Sequence, residues 1–135
     1  MKQEIVRNFL EINSLQNLNE VQKPFKYLSL MQSNDFQLNK FLYKQVGKKY
    51  NWLDRLIWSD QNWINYASEK NIHTYILKYK EDLVGFFELI FYEKKKETEI
   101  AYLGILEEYF GKKLGGFLLS EAIKKSFFKN SQRVW

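Results

Sequence analysis

Cysteine is absent from these 135 residues, and histidine occurs only once, as His73. Without cysteine the chain cannot form a disulfide framework, a thiolate metal site or a cysteine nucleophile. A single histidine cannot build a histidine metal cluster. We therefore expect no bound metal, and the lack of cysteine favours a reducing, cytoplasmic setting.

Long apolar runs are also missing. The most apolar stretch, residues 83–92, contains Glu88 and is too short to span a bilayer. The first twelve residues carry charges inside their apolar pattern, so they lack the apolar core of a signal peptide. These features predict a protein without a membrane partner.

Charge of one sign is nowhere concentrated, although the net charge is +5. The 21 basic residues, all but three of them lysines, are scattered among 16 acidic ones. The densest basic run, residues 94–96, is followed at once by Glu97 and suits a solvated hairpin tip. A nucleic-acid-binding surface needs a basic stripe, so we do not expect nucleic acid as a partner.

Apolar and aromatic side chains are plentiful, at 45% and 18%, which is enough for the core of one domain spanning residues 1–135. Alternating patterns predict strands, and apolar residues at helical spacing predict helices. The predicted strands cover residues 25–31, 74–79, 83–92, 99–106 and 133–135. The predicted helices cover residues 36–47, 60–70 and 114–127, whereas residues 5–12 and 51–58 are ambiguous.

The order of these elements predicts the sheet. Strands 74–79 and 83–92 are joined by a short turn and should form an antiparallel hairpin. The last strand-helix-strand unit should be parallel, because a helix connects its two strands. We therefore expect an α/β (α+β) fold with a mixed, mostly antiparallel sheet and flanking helices.

Residues 109–116, YFGKKLGG, place three glycines and two lysines directly before the last predicted helix. The first N–H groups of a helix lack internal partners, and the helix dipole makes this end positive. Glycine lets a ligand approach the backbone closely, and lysine adds charge. The stretch is either a phosphate cradle or only a loosely built turn. It is neither a Walker A loop nor a GxGxxG fingerprint.

Residues 99–123 resemble the acetyl-CoA-binding core of the GCN5-related N-acetyltransferase (GNAT) superfamily; their sequence is EIAYLGILEEYFGKKLGGFLLSEAI. Members carry a turn of the form [QR]xxGxG/A before a helix whose N-terminus holds the CoA pyrophosphate. Here Phe110 stands where Gln or Arg is usual, and Lys113 replaces the first glycine. The resemblance implies cofactor-binding roles for Phe110, Gly111, Lys112, Lys113, Leu114, Gly115 and Gly116.

The resemblance covers nearly the whole chain. LNKFLYKQVG, NWLDRLIWSD and TYILKYKEDLVGFFEL look like a bacterial subgroup of the superfamily with unassigned substrates. It implies an acyl-CoA N-acyltransferase fold and an enzyme that transfers an acetyl group from acetyl-CoA to a primary amine by direct attack. It also implies that backbone groups of Leu103, Gly104 and Ile105 grip the pantetheine arm and the thioester oxygen.

Two acidic residues are candidates for the chemistry. Many relatives place the general base where Glu99 stands, and a carboxylate half-buried among aromatic rings accepts a proton more readily. The alternative is that Glu99 faces solvent at the end of its strand. Glu88 is the candidate for orienting a cationic substrate, or else a sheet residue turned to solvent. Several aromatic residues could wall the substrate pocket or simply form core, namely Tyr43, Tyr50, Trp52, Trp58 and Trp63.

Lys113 leaves two alternatives. If its position needs a left-handed backbone, lysine costs roughly 1 kcal/mol or more there and must point away from the ligand. Otherwise its side chain approaches the phosphates directly. The sequence does not choose between them.

The chain stops at Trp135, where relatives of this kind continue. We therefore expect a domain that lacks its C-terminal elements, among them the residue that relatives use as general acid. A second hypothesis follows, in which the chain is a non-catalytic CoA-binding or interaction module derived from such an enzyme. An exposed sheet edge would also permit a homodimer.

Overall fold

A computed structural model describes residues 11–135 of the chain, which form one five-stranded sheet in the order β1-β2-β3-β4-β5. The strands are β1 (Leu28–Gln32), β2 (Ile72–Tyr79), β3 (Asp82–Tyr92), β4 (Glu97–Ile105) and β5 (Arg133–Val134). The helices are α1 (Phe36–Tyr50), α2 (Asp60–Ala67) and α3 (Leu114–Phe128), and short 3-10 helices lie at Leu15–Asn17 and Glu107–Tyr109.

The sheet is mixed and mostly antiparallel, which confirms the predicted α/β fold class. Strands β1 to β4 pair antiparallel in sequence order, and β5 joins β4 in parallel. The predicted hairpin is the β2–β3 pair, and the predicted parallel unit is β4-α3-β5. Within residues 11–135, no helix is both long and apolar enough to cross a membrane.

Some boundaries differ from the prediction for local reasons. The first strand begins at Leu28 rather than at residue 25, because the chain bends at Phe25, which packs edge-on against Tyr79, and turns at residues 26–27. Helix α1 continues past Gly47 to Tyr50, since it is Asn51 that takes the left-handed C-cap conformation. Helix α2 ends at Ala67, three residues before the predicted end.

The N-terminal ends of α1 and α2 follow from their capping residues. Asp35 accepts hydrogen bonds from two backbone N–H groups in the first turn of α1. Ser59 and Asn62 form a reciprocal capping box at the start of α2. Between the two helices, residues 51–59 contain only turns, which resolves the ambiguous segment. The prediction for residues 5–12 falls largely outside the described residues, although Ile12 forms an antiparallel bridge with Val134.

The core has two layers, one on each face of the sheet. Successive side chains of a strand point to opposite faces, so neighbouring residues divide between the layers. Phe87 and Leu77 join the layer beneath α3, whereas Phe86 and Ile76 join the layer beneath α1. The two helices therefore cover opposite faces, and the loops at their ends meet around β4.

A β-bulge interrupts the pairing of β3 with β4. Glu88 lies opposite Tyr102, but its neighbour Leu89 lies opposite Ile100, which leaves Ala101 as the extra residue. A bulge of this kind re-aims the side chains on either side of it. After the bulge no strand pairs with the other edge of β4 among the described residues. Strand β5 pairs with β4 at Glu97 and Thr98, and the N–H of Ile100 donates to the carbonyl of Trp135 just before the bulge.

Candidate functional site

The N-terminus of α3 is left uncapped. Helices α1 and α2 each receive a side-chain cap, but Lys113, at the N-cap position of α3, makes no side-chain hydrogen bond to the helix. The first N–H groups of any helix lack intrahelical acceptors, and the dipole adds positive potential there. This end of α3 is therefore equipped to receive an anionic group.

The residues of the turn divide into open and packed positions. Gly111 has a φ of 76°, and a Cβ added at Gly111 or Gly115 would meet no atom within 4 Å. A Cβ added at Gly116 would lie 3.1 Å from Cγ2 of Val21, so this glycine serves packing. Leu114 is 1% exposed and belongs to the core. The accessible surface of the turn is therefore formed around Gly111 and Gly115.

The two lysines and Phe110 of the turn lie on the outside. Lys113 adopts the left-handed conformation, with φ 62° and ψ 17°, as the first of the two alternatives requires. The Lys112 ammonium lies 5.9 Å from the ring centroid of Tyr109. Phe110 is 36% exposed. The surface of the turn thus presents positive charge together with the exposed ring of Phe110.

The edge of β4 after the bulge is open. The N–H of Leu106 donates to the carbonyl of Val84 in β3 at 2.8 Å. Backbone groups alternate in direction along a strand, so those of Leu103 and Ile105 point away from β3. In the part of the chain that the structure describes, no strand pairs with this edge.

Gly104 serves close packing between two elements. A Cβ added there would lie 2.2 Å from Cγ1 of Val46 in α1. The bulge of β4 lies at Ala101, three residues before Gly104. The absence of a side chain at Gly104 therefore lets α1 approach β4 closely.

A cavity of about 670 Å³ lies between segment 51–58 and the strands β3 and β4. The bulge puts Glu99 and Tyr102 on the same side of β4, although they are three residues apart. The residues of the wall that matter most for chemistry are Trp52, Arg55, Trp58, Tyr66, Glu99 and Tyr102. The cavity thus combines the carboxylates of Glu99 and Asp54 with several aromatic surfaces.

Glu99 is half-buried, and its role as general base stays a prediction. Its Oε1 accepts a hydrogen bond of 2.8 Å from the Tyr92 hydroxyl. This hydrogen bond, together with burial and the nearby negative charge, raises the pKa of Tyr92. Tyr92 therefore stays protonated and acts as a donor to the carboxylate.

Glu88 is fully buried, so the alternative that it faces solvent is wrong. Its Oε1 lies 2.9 Å from Nη1 of Arg55, and its Oε2 accepts a 2.9 Å hydrogen bond from the Tyr66 hydroxyl. The predicted role of Glu88 toward a cationic substrate stays a prediction. What the structure shows is a carboxylate whose two oxygens are both bound by protein side chains.

Sequence reasoning missed Arg55, which is only 6% exposed. Its guanidinium carbon lies close to the centroids of five rings, at 4.1 Å from Tyr66, 4.4 Å from Tyr102, 4.7 Å from Trp58, and 5.6 Å from both Tyr43 and Trp63. Burial lowers the pKa of Arg55, but the charges and hydrogen bonds of Glu88 and Tyr66 together outweigh burial, and the net shift is upward. The sequence signal that could have identified Arg55 is its place as the one basic residue of the tryptophan-containing segment NWLDRLIW, residues 51–58.

The predicted aromatic wall is divided between pocket and core. Trp52 and Trp58 line the cavity, whereas Tyr43 and Trp63 are fully buried beneath it. Tyr50 is 51% exposed and stacks on Trp52. Trp52 and Trp58 therefore form cavity wall, whereas Tyr43 and Trp63 form core.

Comparison with known proteins gives the family. The family model described as "Acetyltransferase (GNAT) family" matches residues 29–135. The chain belongs to the GNAT acetyltransferase family. A search of curated proteins finds no match. Within residues 11–135, no group of three or more His, Cys, Asp or Glu side chains is arranged to hold a metal ion.

Solved GNAT structures share the fold of this family member. An aminoglycoside acetyltransferase from an uncultured soil metagenomic sample, in complex with sisomicin, is 13% identical, with a TM-score of 0.69 over 81% of this chain and 76% of that one. The PaiA N-acetyltransferase from Thermoplasma acidophilum, in complex with coenzyme A, is 21% identical, with a TM-score of 0.58 over 76% and 75%. The ribosomal-protein-S18-alanine N-acetyltransferase from Escherichia coli is 12% identical, with a TM-score of 0.56 over 77% and 61%.

Proposed function

We propose that this GNAT protein is an N-acetyltransferase that transfers an acetyl group from acetyl-CoA to a primary amine. The observation that carries the proposal is the position of Glu99, which lines a cavity of about 670 Å³ on the strand whose open edge leads to the uncapped end of α3. The amine acceptor, the acetyl-CoA donor and the Glu99 base would then meet at β4.

The residues of the turn fit the diphosphate of acetyl-CoA. The surface at Gly111 and Gly115 is open, and the N–H groups of the first turn of α3 have no cap. Hydrogen bonds from these N–H groups would hold the pyrophosphate oxygens. The coenzyme A complex of the Thermoplasma acidophilum protein, which shares the fold, supports this donor.

The edge of β4 fits the rest of the donor. Outward-facing backbone groups of Leu103 and Ile105 would bind the pantetheine arm as an additional strand would be bound. Acetyl-CoA supplies an acetyl group activated as a thioester. Here the outward N–H groups would also stabilise negative charge on the thioester oxygen.

Glu99 would act as the general base. The amine nitrogen bonds to the acetyl carbon, and the carbon–sulfur bond breaks to release CoA as its thiolate. The nitrogen must lose a proton in this reaction. The half-buried carboxylate of Glu99 would accept that proton directly or through a water molecule. The hydrogen bond from Tyr92 holds the carboxylate in one orientation.

The second candidate function is a non-catalytic CoA-binding or interaction module. Lys113 favours it, because a side chain occupies a left-handed position where the family turn has glycine. In this case acetyl-CoA would bind, but no amine would be acetylated. The cytoplasmic setting, the absence of nucleic-acid and membrane partners and the homodimer stay predictions.

Calorimetry with acetyl-CoA tests the donor site. We expect the parent to bind, and Gly115→Glu to lose about 100-fold or more in affinity because its carboxylate faces the phosphates. Gly115→Gln is the matched control, since it adds similar bulk without charge and should lose less. A folded parent that does not bind acetyl-CoA would overturn both candidate functions.

Amine acetylation then separates the two candidates. We would assay the parent and Glu99→Gln with benzylamine, spermidine and sisomicin as acceptors. Glu99→Gln should keep its affinity for acetyl-CoA and lose about 10²–10⁴-fold in kcat, the usual contribution of a general base. A parent that binds acetyl-CoA but acetylates none of the amines would support the non-catalytic module.

A further inference from the structure

The cavity beside Glu99, in which the amine acceptor would bind, contains a cation of the protein itself, the Arg55 side chain. Arg55 is held in a box of aromatic rings made by Tyr43, Trp58, Trp63, Tyr66 and Tyr102, which we call the Arg55 cage. Guanidinium groups are attracted to the faces of aromatic rings, and more strongly where water is excluded. The cage thus holds a planar cation from several sides at once.

Glu88 closes the inner end of the Arg55 cage. It is fully buried and binds Arg55 through one oxygen and Tyr66 through the other. A buried carboxylate without a partner is strongly unfavourable, so Glu88 and Arg55 each require the other. The pair consequently has one well-defined arrangement rather than several exchangeable ones.

The Arg55 cage ties an irregular segment to the sheet. Residues 51–59 contain no helix or strand, yet they provide much of the cavity wall, including Trp52 and Trp58. The backbone N–H of Arg55 donates to the Tyr43 hydroxyl at 3.0 Å, and its side chain reaches Glu88 in β3. Arg55 is therefore attached to α1 by its backbone and to β3 by its side chain.

We propose that Arg55 is the positioning residue of the acceptor pocket: the Arg55–Glu88 pair inside the aromatic cage holds segment 51–58 against β3 and β4 and so sets the shape in which the amine binds. This role rests on the proposed N-acetyltransferase function. Arg55 does not itself take part in the proton transfer, which belongs to Glu99. It acts through the wall on which the acceptor lies.

The chain offers a matched control in the Lys40–Asp60 pair. Its nitrogen–oxygen distance is also 2.9 Å, and it likewise joins α1 to the region of α2, but its side chains are 31% and 68% exposed, compared with 7% and 0% for Arg55 and Glu88. Exposed pairs are worth little, because water and salt screen them. Loss of Lys40 should therefore leave the cavity wall in place.

The test compares Arg55→Ala, Arg55→Lys and Glu88→Gln with Lys40→Ala, using the amine of the three that the parent acetylates fastest. We expect the three cage variants to raise the KM for the amine tenfold or more, while calorimetry shows acetyl-CoA affinity within twofold of the parent. Lys40→Ala should change neither quantity. An unchanged KM for the amine in folded Arg55→Lys overturns the positioning role and leaves the proposed function intact.

Chemical rescue supplies a readout that a merely structural role would not give. In Arg55→Ala the cage keeps its rings and Glu88, so free guanidinium can occupy the place of the missing side chain. Guanidinium chloride at 20 mM should therefore lower the KM for the amine at least threefold, whereas sodium chloride at the same concentration should not. If Arg55→Ala does not fold, the amine KM of Arg55→Lys compared with that of Lys40→Ala decides instead. Absence of rescue in a folded variant overturns the role of the cage, and a parent that acetylates none of the amines overturns the proposed function together with this one.

Discussion

Lys113 is the residue at which local backbone preference and tertiary demand disagree most clearly. Its φ of 62° places a long side chain in the left-handed region, where non-glycine residues are unfavourable. The turn needs this conformation because Gly111 and Lys113 together reverse the chain between the 3-10 helix and α3. The family pattern places glycine here, so this chain tolerates a cost that the glycine would avoid.

Replacing Lys113 by glycine should therefore stabilise the protein. We expect Lys113→Gly to raise the free energy of unfolding by about 0.5–1 kcal/mol, because relief of the left-handed strain exceeds the added entropy of the unfolded chain. Urea denaturation monitored by tryptophan fluorescence would measure the change.

Lys112→Gly is the matched control, since Lys112 is the adjacent lysine and has no positive φ. There glycine only adds freedom to the unfolded chain, and stability should fall by about 0.5–1 kcal/mol. Equal destabilisation by both substitutions would contradict the assignment of strain to Lys113.

Helix α1 and strand β4 form the contact that depends most on a single small residue. Gly104 faces Val46, and the space between them does not admit a Cβ, which would lie 2.2 Å from Cγ1 of Val46. Gly47 of α1 makes room instead for the segment that follows the helix, since its added Cβ would lie 2.9 Å from Cβ of Trp52. The approach of α1 to the sheet thus positions the start of the cavity wall.

Gly104→Ala should destabilise the protein by about 1–3 kcal/mol, because overpacking forces α1 and β4 apart. Val46→Ala removes the methyl group that the new Cβ would strike. The double variant Gly104→Ala/Val46→Ala should therefore lose less than the sum of the two single losses.

Chemical denaturation of the parent, the two single variants and the double variant would measure this coupling. Strict additivity would show that Gly104 is not held by its contact with α1. A single Gly104→Ala variant as stable as the parent would lead to the same conclusion.

At the scale of the whole molecule, we expect a single histidine to govern how the free energy of unfolding changes with pH near neutrality. His73 is the single histidine, and it lies at the start of β2 against the ring of Phe91. Its Nδ1 is buried and has no hydrogen-bond partner among the described residues. Burial, reinforced by the charge of Lys129, lowers the pKa of His73 against a backbone hydrogen bond to Lys70 that raises it.

The sign of the pH effect follows from this lowered pKa. The unfolded chain binds a proton at His73 more readily than the folded chain does. The contribution of neutral His73 to the free energy of unfolding is therefore complete above the unfolded pKa of about 6.5 and is lost as the pH falls below it. We expect the free energy of unfolding to decrease from pH 7.5 to pH 5.5. The decrease should be smaller in His73→Asn.

Urea denaturation at half-unit pH steps would measure both slopes. The interval lies above the ordinary pKa values of carboxylates, so His73 should dominate the parent's slope within it. Equal slopes in the parent and in His73→Asn would show that protonation of His73 does not control stability.

Most of the fold could be predicted, because its signals are local. The alternation in residues 74–92 produces the β2–β3 hairpin, and the caps at Asp35 and Ser59 begin α1 and α2. Such signals lie within a few residues of the structure that they specify. The resemblance to the GNAT turn likewise rests on one contiguous stretch, residues 109–116.

The candidate site could be predicted only in part, because its remaining residues meet across the fold. Glu88 contacts Arg55, 33 positions away, and it does so only after α1, α2 and the bulged sheet have come together. No local pattern distinguishes a buried, paired glutamate from an exposed one. The bulge at Ala101, which turns Glu99 and Tyr102 into the same cavity, is equally invisible in a strand pattern.

By itself, the sequence determined the elements of this protein, their order, its family and the turn at the start of α3, since all of these are written in short-range spacing and residue type. Only the tertiary structure decided that Arg55 is enclosed by five rings and that Glu88 is neutralised by it. It alone also decided that Gly104 makes room for a helix. The physical reason is that burial and pairing are properties of packed surfaces, which exist only when distant parts of the chain are in contact.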